Sequence, residues 1–225
     1  MAEGVEGRAM RVERRMKRDV VVVRPTDSVL TAMDLIRRRG IRHLPVVDGG
    51  QVLGMVTDRD IRQAAASPAT SLSVHELHYL LDRMTVADIM RKPVITIGPD
   101  GTVEDAARLL LAHRIGGLPV VRDGALVGII TETDILEAFL EVMGITATSG
   151  RLELVIEDRP DPAAFRAVCT AIAEQGGDIA SVVSARAVRD REERKVLILR
   201  VEAPDFDALV AHLTAAGYPV LSASR

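Results

Sequence analysis

One feature limits what this chain can fold into: a long internal repeat. Gly40-Ile41-Arg42-His43-Leu44-Pro45-Val46-Val47, then Gly54-Met55-Val56-Thr57-Asp58-Arg59-Asp60, returns as Arg114-Ile115-Gly116-Gly117-Leu118-Pro119-Val120-Val121, then Gly128-Ile129-Ile130-Thr131-Glu132-Thr133-Asp134. Thr57 and Thr131 stand 74 positions apart, and the same offset pairs Met16 with Met90, Pro25 with Pro99 and Ile61 with Ile135. A repeat of this length without a slip in register is a duplication, not compositional chance. The chain therefore builds one unit twice.

The unit can be read from either copy. Val20-Val21-Val22-Val23 is a β-branched run ended by Arg24-Pro25, which predicts a buried strand. Thr26-Asp27-Ser28 supplies N-cap candidates for a helix with Val29, Ala32, Met33 and Ile36 on one face, closed by Gly40. Two strands then flank Asp48-Gly49-Gly50, residues that tolerate the positive φ of a tight hairpin. Thr57 opens a second helix, giving β-α-β-β-α. The second copy repeats the plan, from a strand at Val94 to Ile97, through a helix begun at Asp100-Gly101-Thr102, to a hairpin across Asp123-Gly124. Between the copies, Ser73 is placed to cap a helix that starts at Val74.

The tail has another rhythm. Strand, helix, two strands, helix and strand run from Leu152 to Ala223, the order of a ferredoxin-like split unit. The small-residue stretch from Thr146 to Gly150 marks a boundary before it. The expected division is a lead-in over 1–12, repeats over 13–75 and 76–145, and the tail domain over 146–225.

Composition closes several routes. The net charge of −3 lacks the basic excess a nucleic-acid coat needs. Aromatic residues are 2% of the chain, so its core must be aliphatic. Cys169 is the single cysteine, which excludes an internal disulfide and a cysteine-based zinc cluster. It falls on an apolar helix face with Phe165, Val168 and Ile172, where a buried structural thiol is expected. His75 and His78 stand three apart but have no third ligand nearby, so packing or surface roles are expected and no metal site. No apolar run approaches the ~20 residues needed to span a bilayer. A polar N-terminus without a signal pattern completes the expectation of a cytoplasmic protein. No serine elbow, Walker loop or metal-binding histidine set appears, so no catalytic residue is assigned.

The remaining chemistry sits in Thr57-x-x-Asp60 and Thr131-x-x-Asp134. Each lies where a strand gives way to a helix. One reading is structural: a threonine N-cap and an aspartate three residues on resemble a capping box and suit the helix dipole. The other is functional. A carboxylate can accept hydrogen bonds from both ribose hydroxyls, and a helix N-terminus offers N–H groups to phosphate. Arg14, Arg15, Lys17 and Arg18 form a basic cluster that reads either as a solvated face or as a source of contacts to an anion.

These motifs, apolar-Pro-Val-Val, then Gly, an apolar pair and Thr-x-x-Asp, resemble CBS motifs over Met16 to about Phe139. A tandem pair resembles a Bateman module, which implies an adenine nucleotide or related adenosyl ligand bound between the repeats. The resemblance places Thr57, Asp60, Thr131 and Asp134 at ribose, and Arg42, His43, Gly116 and Gly117, with Leu118 beside them, near phosphates. It places Val20, Val21, Val22, Val94, Ile95 and Thr96 beside the base. The copies differ. Arg42, His43 and Arg59 face Gly116, Gly117 and Thr133 in alignment, so unequal sites are expected.

The tail resembles an ACT domain, though Asp161 stands where that family carries a glycine beside its ligand, which favours a dimerisation or partner surface. The whole arrangement resembles the acetoin-utilisation (AcuB-like) CBS–ACT family. The reading is an α+β regulatory protein, tandem CBS repeats forming one module plus a C-terminal ferredoxin-like βαββαβ ACT-type domain, sensing adenine nucleotide as a homodimer, with no obligatory cofactor and a protein target of unknown identity. An amino-acid sensor, a purely structural partner-binding protein and a small nucleotide-acting enzyme stand as alternatives.

Overall fold

The computed structural model describes residues 10–66, 74–145, 153–157, 162–189, 192–218 and 220–224. The chain divides into two compact units, Met1–Ala138 and Phe139–Arg225.

The first unit holds α1 (Val12–Arg15), α2 (Val29–Arg39), β1 (His43–Asp48), β2 (Gln51–Thr57), α3 (Asp58–Ala66), α4 (Val74–Arg83), α5 (Val86–Ile89), α6 (Val103–His113), β3 (Gly117–Arg122), β4 (Ala125–Thr131) and the start of α7 (Glu132–Val142). Ser28 caps α2 through its side chain, and Thr102 caps α6 within a capping box shared with Asp105. β1–β2 and β3–β4 are antiparallel hairpins joined at Gln51↔Ala125 into one sheet of order β1-β2-β4-β3. Both turns put two residues at positive φ, Gly49-Gly50 and Asp123-Gly124, which matches the right-handed twist of the strands they join.

The strands expected at Val20 to Val23 and Val94 to Ile97 are not strands. Each is reduced to one parallel rung, Val23↔Val46 and Ile97↔Val120. The cause is proline. A second rung on either side would need an N–H from Pro25 or Pro45, and from Pro99 or Pro119 in the other copy, and proline has none.

The core shows the duplication side chain by side chain. Val29, Ala32, Leu44, Val46 and Val56 are fully buried, and so are their mates at Val103, Ala106, Leu118, Val120 and Ile130. The leading turns are exchanged between the halves. α1, which precedes the first repeat, hydrogen-bonds to Gly101 and Pro99 of the second. α5, which precedes the second, hydrogen-bonds to Asp27 and Pro25 of the first. Val12 and Val86 are thereby fully buried, each stabilising by about 1.5–3 kcal/mol. Two glycines admit the exchange. A Cβ on Gly54 would lie 2.6 Å from the Met90 sulfur, and one on Gly128 would lie 2.6 Å from that of Met16.

The second unit contains β5 (Glu153–Glu157), α8 (Pro162–Glu174), β6 (Asp178–Arg189), β7 (Glu192–Glu202), α9 (Phe206–Ala215) and β8 (Val220–Ser224). Its antiparallel sheet has the order β6-β7-β5-β8, the ferredoxin-like arrangement expected from the element order. Val168, Ala171 and Ile172 of α8 pack with Leu199, Leu209 and Leu213. Phe165 and Cys169 depart from expectation: the first is exposed and the second only partly buried, because the inward stripe runs through Val168, Ala171 and Ile172. The Thr146–Gly150 stretch, Ser73 and Asp161 lie outside the described residues.

Candidate functional site

Each Thr-x-x-Asp box closes a helix start. Thr57 donates from its N–H (3.0 Å) and Oγ1 (2.5 Å) to Oδ2 of Asp60, whose own N–H donates to Oγ1 of Thr57. Thr131 does the same to Oδ2 of Asp134, at 2.8 and 2.6 Å. The capping chemistry is therefore real, and it occupies one carboxylate oxygen of each aspartate.

The other oxygen meets a cation from the segment that leads into the opposite repeat. Arg91 reaches Oδ1 of Asp60 with Nε at 2.7 Å and Nη2 at 2.6 Å. Lys17, its mate at the 74-residue offset, reaches Oδ1 of Asp134 at 3.3 Å. Both aspartates are buried, at 7% and 5% exposure, whereas Arg91 and Lys17 are largely solvent-exposed.

A cleft of about 770 Å³ opens beside Thr57 and Arg91; Asp60 is not itself in its wall and adjoins it through Thr57 and Arg91, which are. That volume suits a small-molecule ligand. Arg42, His43, Thr57, Arg59, Val94, Ile95, Gly116 and Gly117 all line it, so the fold brings together candidates from both repeats. Arg62, Arg91, Lys92 and Arg114 add positive charge, while Asp58 and Glu132 supply the acids. Arg62 is paired with Asp58. Arg114 is held at φ 53°, a left-handed conformation that the first repeat gives to Gly40 at φ 62°. A non-glycine residue pays a steric cost there, and here it puts a guanidinium at the cleft.

His43 sits over the glycine pair. A Cβ on Gly116 would lie 2.9 Å from its Nε2, and one on Gly117 would lie 3.2 Å from its Cδ2. The close approach those glycines permit is thus taken by the ring of His43. Burial, and then the Arg42 charge, push the His43 pKa below its ordinary value, against the opposing pull of Glu132 and Asp60. The ring is biased toward its neutral form.

Other expected residues lie elsewhere. Leu118 is fully buried in the core and does not line the cleft. Thr96 is exposed and is not part of the cleft wall. Val20, Val21 and Val22 are the offset mates of Val94 to Thr96 and are absent from this wall; Val22 is exposed, and Val21 packs against the first repeat's core. Thr131 and Asp134 sit in the equivalent place beside Lys17. Sequence reasoning missed Arg91, Lys92, Arg62, Arg114 and Glu132. The first had a usable signal: Lys17 and Arg91 are both cations at aligned positions.

Residues 11–67 and 86–141 each match the CBS domain family. The chain belongs to the CBS-domain family and carries two copies of the domain as a tandem pair. It is 34% identical over 145 residues to inosine-5′-monophosphate dehydrogenase from Korarchaeum cryptofilum, a match that spans 64% of this chain and only 27% of that enzyme. Among solved structures, a protein named for acetoin utilization (AcuB) from Vibrio cholerae is 28% identical, with a TM-score of 0.51 over 60% of this chain and 94% of the other. A CBS domain pair solved with 5′-methylthioadenosine and S-adenosyl-L-methionine is 29% identical, with a TM-score of 0.50 over 57% of this chain and 94% of its own. Among the described residues no helix is long and apolar enough to cross a membrane.

Proposed function

We propose that this protein is a non-catalytic regulatory sensor that binds an adenine nucleotide in the cleft beside Asp60. The observation that carries the reading is the composition of the cleft: apolar side chains of Val94 and Ile95, several arginines from both repeats around one cavity, and in its wall Arg91, which grips the buried carboxylate of Asp60. The apolar wall accepts a base, Asp60 accepts ribose hydroxyls, and Arg42, Arg59 and Arg114 take phosphates. A similar CBS pair holding two adenosyl compounds supports the ligand class. The excess of arginine favours a polyanionic nucleotide over a cationic sulfonium. Ligand bound between the repeats favours one arrangement of them, and that population shift is the signal.

The ferredoxin-like tail acts in this reading as an ACT-type dimerisation or partner surface, in a cytoplasmic homodimer without an obligatory cofactor. The test is thermal melting of the full chain with ATP, ADP, AMP, S-adenosylmethionine and a set of amino acids. ATP or ADP at a hundred times its dissociation constant should add about 2.7 kcal/mol. No shift with any adenosyl compound would overturn the reading, and a shift with amino acids alone would move the sensing to the tail.

A further inference from the structure

We infer that Arg91 is a built-in competitor for the ligand: it locks Asp60 in the free protein and must release it when a ribose binds. The inference rests on the assignment of Asp60 as the ribose acceptor. Oδ2 of Asp60 already accepts two hydrogen bonds from Thr57, and Oδ1 accepts two nitrogens of Arg91. A carboxylate offers about four acceptor positions, so a vicinal diol finds none free. The Thr57 N–H is fixed by the backbone at the helix start, and its hydroxyl belongs to the same cap, so neither leaves without opening the helix. Arg91 can: its side chain is 55% exposed and lines the same cleft.

A released guanidinium left without an anion in the cleft loses two charge-assisted contacts. A ligand that brings its own phosphate restores them, because arginine pairs bidentately with phosphate as it does with carboxylate. Nucleosides therefore bear the full cost of opening the lock, while nucleotides exchange one anionic partner for another. The lock selects for the phosphate without Asp60 touching it. It also ties binding to the segment from Arg91 to Ile95, which leads from one repeat into the other. Lys17 holds Asp134 by one longer contact, so the second box carries a weaker form of the same device.

The experiment is calorimetric titration of the full chain with adenosine and with ATP, in the wild type, Arg91→Ala and Arg91→Lys. The expected result for Arg91→Ala is tighter adenosine binding and weaker ATP binding, so that the ratio of the two affinities falls roughly tenfold or more, the equivalent of one charge-assisted hydrogen bond. Arg91→Lys, which keeps the charge and guards against a folding defect in the alanine variant, should lie between. If adenosine binds either variant no better than the wild type, or both ligands weaken alike, Arg91 is a structural strut and the inference fails. If the wild type binds neither compound, the nucleotide reading itself fails and takes the lock with it.

Discussion

The two repeats share their cores and differ in what they bring to the cleft. Leu44 and Leu118, Val46 and Val120, and Val56 and Ile130 are fully buried mates. At the rim, Arg42 and His43 face Gly116 and Gly117 in alignment, Arg59 aligns with Thr133, and Arg62 aligns with Leu136. Buried positions answer to close packing, which both halves of one sheet impose equally. Rim positions answer to whatever occupies the cleft, and solvent leaves them free to diverge. The duplication thus kept one scaffold and made two chemically unequal faces.

The comparison can be pressed hardest at the core. Leu44→Ala and Leu118→Ala should each cost about 2–5 kcal/mol in denaturant unfolding, since both side chains are fully buried. A large cost on one side and a small one on the other would break the claim of equivalent cores. The Thr-x-x-Asp boxes come next. Asp60→Ala should cost about 1–3 kcal/mol, with Asp134→Ala costing less, because Arg91 holds its aspartate with two nitrogens and Lys17 with one. Equal losses in thermal melts would erase that asymmetry.

A smaller effect with two opposed signs is expected at Arg114. Arg114→Gly relieves the left-handed backbone by about 1 kcal/mol while lowering ATP affinity in calorimetry. A variant that gains stability and keeps full affinity would remove Arg114 from the ligand site. The smallest effect is the pH response of His43, which the second repeat lacks. Its pKa in the folded protein is lowered from the ordinary 6.5, so the unfolded chain takes up the proton first. Stability is complete above pH 6.5 and falls as the pH drops from there toward the folded pKa. His43→Gln should flatten that slope in melts between pH 5 and pH 8, as a pH window of about that span brackets an ordinary histidine. An unchanged slope would assign it to other groups.

Much of this protein is legible in its sequence. The hairpins at Asp48-Gly49-Gly50 and Asp123-Gly124, the helix that ends at Gly40 and the split βαββαβ tail follow from turn chemistry and periodicity, which act over a few residues. The β-branched runs at Val20 and Val94 misled, because strand propensity says nothing about which partner N–H groups exist, and prolines on both sides removed them. The face of α8 misled at Phe165 and Cys169, since an apolar residue beside the buried stripe looks the same in sequence as one within it.

By itself the sequence determined that one unit is built twice, where its two hairpins turn, and that Thr57 and Thr131 open helices with Asp60 and Asp134 three residues on, because a capping box and a hairpin are settled by neighbours three or four residues apart. The tertiary structure alone decided that the leading turns cross over, that Arg91 grips Asp60 and that His43 rests on Gly116 and Gly117. Burial of Val12 or Val86 satisfies the hydrophobic effect in either half, and a guanidinium pairs with any carboxylate within reach. Such non-directional and long-range choices are made by the closed packing of the two halves, where glycine at 54 and 128 leaves room for Met90 and Met16.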